Sequence, residues 1–473
     1  MRKAVVFALL LVALFLVIGW QFFQPGVAAS IPSPSPSETV LAAAPVTATP
    51  LPTPDPEEQA RLAHEALLGN VADIVAPVMP SGIDARGFLS WLEAGPYPDV
   101  LIGVMSDDYS PAADDFSALL YSHTGETLHV LCDRFSGLID SADIVKTANS
   151  TQTVLAFGGD VNLVDGSYAM PTYVRNGGDV SKIFKGGLLD EMRAADVFMV
   201  NNEFAFTDRG TANASKGYTF RSKPENVHIL NDMGVDLAFV ANNHVFDYGA
   251  VGLLDTLDTL DSAGIAHVGA GADLADAVKP VYFIVDGRKI AFVAGGTIER
   301  FGTIFTPCAT EDSPGILRAD DKSPDLLLAA VQEAKANSDF VVVSVHWGVE
   351  GTSKVEAYQK NLAHRCIDAG ADAVIGHHPH VLQGTEFYEG KPIVYSIGNF
   401  WFSSVVVDSC LLELLLDKDG GVSVKFLPCT AAWGYTALAS GDEAARVIND
   451  YQRISFGVNI AGDGIITDNN ESL

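Results

Sequence analysis

From about Thr153 the chain alternates short apolar runs with amphipathic stretches. Runs at 154–157, 197–200, 237–240, 290–294 and 340–345 are short and rich in Val, Ile, Leu and Phe, which suits strands buried on both faces. Between them the spacing changes to that of helices. Over 252–263, Leu253, Leu254, Leu257 and Leu260 fall on one helical face. Strand followed by helix, repeated, predicts a layered α/β domain. Further on, runs at 393–396, 405–407, 411–416 and 422–427 are broken by turn residues such as Asp419-Gly420-Gly421, which predicts a hairpin-rich second half.

The first 150 residues read differently. Arg2 and Lys3 precede an apolar stretch from Ala4 to about Phe23, enough for a helix to cross a hydrocarbon core of about 30 Å. With basic residues before it and none after until Arg61, the positive-inside rule predicts a single-pass anchor with an extracytoplasmic body. Val27-Ala28-Ala29 offers a signal-peptidase site, but the apolar run exceeds the about 7 to 15 residues of a secretory core, so residues 1–30 are read as an uncleaved anchor. Residues 31–56 are rich in Pro, Ser, Thr and Ala and predict an extended spacer. Residues 57–150, with a helical pattern at 57–69 and strand patterns at 100–104 and 127–132, predict a small accessory α+β region. The main domain is expected over 151–435, with a C-terminal extension at 436–473.

Composition narrows the partners. A chain of 473 residues that is 48% hydrophobic can build a large core, and a net charge of −30 disfavours both nucleic acid as a partner and tight lying of the whole body on an anionic membrane surface. Five scattered cysteines do not form a disulfide framework; Cys410 and Cys429 could pair across neighbouring strands, but small buried hydrophobes are the expected role.

The chemistry lies where the apolar runs stop. Asp160 follows Phe157-Gly158-Gly159, Glu203 follows Asn201-Asn202, Asn243-His244 follows the run at 237–240, and His346 follows that at 340–345. The run at 373–375 ends in Gly376-His377-His378-Pro379-His380, three of the chain's eleven histidines. In an open α/β sheet the carboxyl ends of strands converge on one crevice, so these residues can meet there. Taken singly, each has an ordinary explanation: a turn for Asp160, a solvated loop for Glu203, a helix cap for His244 and a satisfied core histidine for His346. Together they form a carboxylate and imidazole set suited to two divalent ions of the Mn, Fe or Zn kind. Period-two alternation in an extended segment puts His378 and His380 on one side and His377 on the other.

These motifs, with Asp247-Tyr248-Gly249, His346-Trp347-Gly348, Glu350 and Tyr395-Ser396-Ile397-Gly398-Asn399-Phe400, resemble the CapA family of poly-γ-glutamate capsule proteins from about Val154 to Phe402. That family is similar to calcineurin-like metallophosphoesterases, which implies a four-layered α/β/β/α sandwich. The resemblance also implies Asp160, Glu203, Asn243, His346, His378 and His380 as ligands of two metal ions, Glu203 bridging, and His244 facing the scissile group. Arg221 is expected to touch substrate, with Asn399 and Glu350 supporting the site. Two departures stand out: Asn162 occupies the place where an Asp-x-His pair would put an imidazole, and Glu203 stands where Asp is usual.

Two divalent ions outweigh the charges of Asp160 and Glu203, so the pocket is expected to be cationic within an acidic body that repels polyanions elsewhere. Two functions follow. One is metal-dependent hydrolysis of a phosphoester or related anionic polymer linkage; the other is a non-catalytic, polymer-binding role within a membrane capsule-synthase complex.

Overall fold

The computed structural model describes the strands Asp115–Tyr121, Thr127–Asp133 and Ile139–Lys146, and then residues 152–469 apart from 286–287, 297–298, 301–302, 305, 403–404 and 419. The expected anchor, the spacer, the helix at 57–69 and the strand at 100–104 lie outside the described residues. Among those described, no helix is long and apolar enough to cross a membrane.

The molecule is a mixed α/β fold built on two large sheets. At the centre of the first, Arg288–Gly296, Phe340–His346, Ala373–His377 and Lys391–Ile397 run parallel, with Gly296, His346 and His377 in register. Ile139–Lys146 pairs in parallel with Val281–Val285, so the hairpin strands at 115–146 extend this same sheet. In the second sheet, Ala266–Val268, Leu237–Phe239, Val197–Asn202 and Thr153–Val161 run parallel. The long antiparallel pair Val407–Leu416 and Val422–Ala432 completes it.

Alternation along the strands explains the layering. Ile290, Phe292, Val342 and Ile375 join Leu155, Phe157, Leu412 and Phe426 in the core between the sheets. The intervening Ala291, Val293, Val341, Val343 and Val374 pack instead on Leu327, Val331, Leu362 and Cys366 of the helices Asp325–Ala336 and Ala357–Ala369. Both faces of these strands are therefore apolar, which is why they read as unbroken hydrophobic runs. Leu188, Met192, Ile229, Met233, Leu253 and Leu260 bring three further helices into the inter-sheet core cluster.

Three expectations change. The helix predicted over 252–263 spans Gly249–Ser262. Val405 and Val406, read as strand, are exposed, and the strand begins at Val407 because the sheet core starts there. Cys410 lies opposite Pro428 and Cys429 opposite Ser409, one step out of register, and both are free, buried thiols.

Candidate metal centre

The carboxyl ends of the parallel strands in both sheets bring the polar residues together. Asp160 is opposite Asn201 on one side and Asn399 on the other, because Thr153–Val161 pairs with both segments. Gly159 makes this approach possible. A Cβ there would stand 1.9 Å from the Gly398 carbonyl oxygen, the same oxygen that accepts a 2.9 Å hydrogen bond from the Asp160 amide. Glu203 is held at the end of its strand by its amide, which donates to the Val161 carbonyl at 3.1 Å.

Two overlapping groups of donor atoms result, each within 4.8 Å: Glu203, His346 and His378 in one, Asp160, Glu203 and His380 in the other. Glu203 belongs to both, which is the position of a bridging carboxylate. His346 Nε2 lies 2.8 Å from Asn243 Oδ1, 3.1 Å from His378 Nδ1 and 3.6 Å from Glu203 Oε1, so four side chains face one point. His380 Nδ1 lies 3.1 Å from Asp160 Oδ2 but directs its ring toward Asn399 Oδ1 at 2.9 Å. Asp160 Oδ2 and Glu203 Oε1 are therefore fully buried without an aligned hydrogen-bond donor. A buried carboxylate oxygen left so is costly unless a cation takes that place, and the donor set fits divalent metal.

The histidine motif reaches this arrangement by a different route from the one expected. The strand ends at His377, and His378 and His380 take left-handed backbone conformations, with φ of 98° and 60°. A local turn, not strand alternation, delivers both imidazoles; such conformations are strained for residues with side chains and gather at functional sites. His377 stays out of both groups, buried 5.1 Å from the Phe239 ring with its Nδ1 3.8 Å from Asp160 Oδ1.

Electrostatics follow from burial at close quarters. Burial pushes the Asp160 carboxyl up, but contact with His380, the charge of His377 and the Asn201 hydrogen bond together hold it below its usual range. Burial and the neighbouring Asp160 charge raise Glu203 well above the usual range. Burial lowers His346 strongly, and lowers His377 to about 4 and His378 to about 3. His380 is the exception: burial opposes its charge, but Glu203 and Asp160 outweigh that and raise it to about 10. Without metal, His380 is thus the counter-cation of Asp160, whose Oδ2 lies 3.1 Å from its Nδ1. A metal must displace its proton, so apparent affinity is expected to rise about tenfold per pH unit between pH 7 and 9. Calorimetry in buffers of different ionisation enthalpy should record about one proton released per chain at pH 8; release of none would remove His380 from the ligand set.

His244 stands beside the ligands. Its amide and that of Val245 donate to Asn242 Oδ1, both at 3.0 Å, which fixes the turn after Val240. Its Nδ1 lies 2.6 Å from Asp247 Oδ2, and its ring packs 4.1 Å from Phe220. Burial lowers its pKa, and the Asp247 contact only partly offsets that.

Lys216 was not predicted to be here. Its side chain is buried, pairs with Asp247 Oδ1, donates to the Asn243 carbonyl and lies 3.4 Å from His244 Nδ1. Nothing in its polar loop distinguishes it from a solvent-facing lysine. Asn201, which the sequence pattern marks only as a neighbour of Glu203, brings its amide to Asp160 Oδ1 at 2.7 Å and to His346 Nδ1 at 3.3 Å.

The remaining predicted residues divide. Asn399 orients His380. Glu350 is exposed and acts on the site through its charge, which helps raise Glu203. Arg221 is exposed, with its guanidinium 4.6 Å over the Tyr248 ring. Asn162 is buried and caps its own loop, its Oδ1 accepting from the Val164 amide at 3.0 Å.

Fold and site together define a layered α/β protein with a buried carboxylate and imidazole cluster at its strand ends. More particularly, residues 154–404 match the bacterial capsule synthesis protein family PGA_cap, and the chain belongs to that family. It is 36% identical over 286 residues to the PGA biosynthesis protein CapA of Bacillus subtilis (strain 168), covering 58% of this chain and 71% of that protein. It is 36% identical over 222 residues to the capsule biosynthesis protein CapA of Bacillus anthracis, covering 46% and 52%. A probable polyglutamine synthesis accessory protein of Mycobacterium tuberculosis (strain ATCC 25618 / H37Rv) is 35% identical over 287 residues, covering 57% and 76%.

Proposed function

We propose that this protein is a membrane-anchored, extracytoplasmic component of poly-γ-glutamate capsule polymer synthesis, with a dinuclear metal centre that hydrolyses a phosphoester or related anionic linkage. The observation that carries the metal reading is the pair of buried oxygens without an aligned hydrogen-bond donor, Asp160 Oδ2 and Glu203 Oε1, converging with His346, His378 and His380. The anchor rests on the apolar stretch from Ala4 to about Phe23. Two sheets packed face to face with helices outside them agree with a metallophosphoesterase-like sandwich.

In this reading Glu203, Asn243, His346 and His378 would hold one ion, and Asp160, Glu203 and His380 would hold the other. The ions supply Lewis acidity toward an anionic oxygen. Asp247 accepts from His244 Nδ1, which leaves Nε2 outside that contact; only in the imidazolium form, which Asp247 favours against burial, would Nε2 carry a proton to the leaving group. Phe220 against His244, and Phe402 4.7 Å from His380, shield that face from water.

The second reading, a polymer-binding assembly component without turnover, draws on Asn162. With that side chain turned to its own loop, the Asp160 ion has one imidazole fewer than the superfamily pattern supplies. Elemental analysis of the full chain, with turnover of generic phosphodiesters, separates the two. Hydrolysis predicts two ions per chain, and a His244→Ala variant that keeps both ions and loses about 10²-fold or more in rate. One ion or none, without turnover, would overturn the hydrolytic reading and favour the assembly role.

A further inference from the structure

A strained, exposed tryptophan lies at one end of the second sheet. Ala432 pairs with Tyr435, so Trp433-Gly434 is a two-residue hairpin turn, with φ of 47° and 80°. Turns of this kind favour Asn, Asp or Gly at the first position, where a bulky side chain is strained. Trp433 nevertheless occupies it and is 56% exposed. Its indole makes no hydrogen bond or ring contact among the described residues, and only its carbonyl is used, accepting from Thr172 Oγ1 at 3.0 Å. Strain that serves nothing inside the fold points outward.

Trp433 is the centre of a continuous face. The helix Ala169–Arg175 lies against the turn, with Tyr168 and Val174 exposed beside it. Asn176 Nδ2 donates to Tyr435 Oη at 3.0 Å, Lys185 Nζ lies 4.1 Å over the Tyr435 ring, and Lys182 Nζ reaches the Asn176 carbonyl at 3.2 Å. Over residues 164–187 and 431–438 the charged residues are Arg175, Lys182 and Lys185 against Asp165 and Asp179. Lys182 pairs with Asp179 at 3.3 Å, which leaves Arg175 and Lys185 against Asp165, in a chain with 29 basic and 59 acidic residues. The face also adjoins the metal centre: Trp401, next to Phe402, donates through Nε1 to the Gly434 carbonyl at 2.9 Å, and the loop leading to Tyr168 begins just after Asp160.

Exposed Trp and Tyr with a fringe of Lys and Arg match the interfacial zone of an anionic bilayer, where amphipathic rings sit at headgroup level and cations meet lipid phosphates. We infer that this face, centred on Trp433, rests locally on an anionic membrane surface. The inference rests on the membrane-anchored reading above, since the anchor supplies the proximity.

The full chain, reconstituted with phosphatidylglycerol and phosphatidylcholine vesicles carrying shallow brominated lipids, provides the test. Trp433 emission is isolated as the difference between wild type and Trp433→Asn, which suits the turn and is expected to keep or raise the melting temperature. Quenching of that component by about twofold or more, weakened by Arg175→Glu with Lys182→Glu and Lys185→Glu, is the expected result. Flotation with an unquenched Trp433 would overturn this inference and leave the anchor standing. Failure to float would overturn both. Loss of quenching on adding soluble poly-γ-glutamate, with flotation unchanged, would assign the face to the polymer instead, and a lowered melting temperature in Trp433→Asn would make the residue structural.

Discussion

On the two-ion reading proposed above, Glu203→Gln is expected to reduce bound metal to at most one ion and to weaken what remains by about a hundredfold or more, since second-shell losses alone cost about 10- to 100-fold. The reason is position: Glu203 is the one residue in both donor groups, with Oε1 3.6 Å from His346 and 3.9 Å from His380. Gln preserves the volume but lacks the charge that offsets two cations. The same change should leave the urea midpoint of the chelated protein unchanged or raised, because Oε1 has no hydrogen-bond donor to lose and the 3.5 Å bond that Oε2 accepts from Asn201 Nδ2 can be kept by the Gln carbonyl. The sign follows from linkage. Burial and Asp160 raise the Glu203 pKa in the folded state, so ionising it with rising pH costs metal-free stability, and Gln has no such cost. Elemental analysis and paired urea titrations, with and without chelator, check both halves. An equal fall in midpoint in both conditions would make Glu203 a structural residue.

Gly159→Ala is expected to cost about 3 kcal/mol or more of folding stability, at the upper end of overpacking effects, and to disturb metal binding as well. The added Cβ would meet the carbonyl oxygen of Gly398 at 1.9 Å and its carbonyl carbon at 2.9 Å, and neither belongs to a side chain that can swing away. Relief requires the segment Gly398-Asn399 to move, which lengthens the Asp160 amide bond to Gly398 and displaces Asn399 from His380. Gly166→Ala is the control: a Cβ there has nothing within 4 Å, so a near-neutral change is expected. Denaturant unfolding compares the two, and a neutral Gly159→Ala would show that the strands can separate freely at this point.

The strands at the heart of both sheets were legible because each is buried on both faces and therefore apolar along its whole length, as 340–345 and 373–375 illustrate. Their polar ends were legible for the same reason: Asp160, Glu203, His346 and the 376–380 motif are the places where the run breaks. The backbone of His378 and His380 was not. Whether Pro379 follows an extended or a left-handed residue depends on the packing around His346 and Asn399, which a local pattern does not record. Lys216 was hidden because the carboxylate that draws it inward, Asp247, is 31 positions away in the chain.

Residue identity and spacing alone therefore determined which chemical groups the protein carries and the ends of which strands they occupy. Tertiary structure decided which atoms meet: that Glu203 is shared between two donor groups, that His377 is left aside, that Asn162 turns to its own loop and that a lysine joins Asp247. The physical reason is range. Periodicity and turn chemistry act over a few residues, whereas burial, charge and ligand geometry act between strands from two different sheets, and these become neighbours only once the core between them has closed.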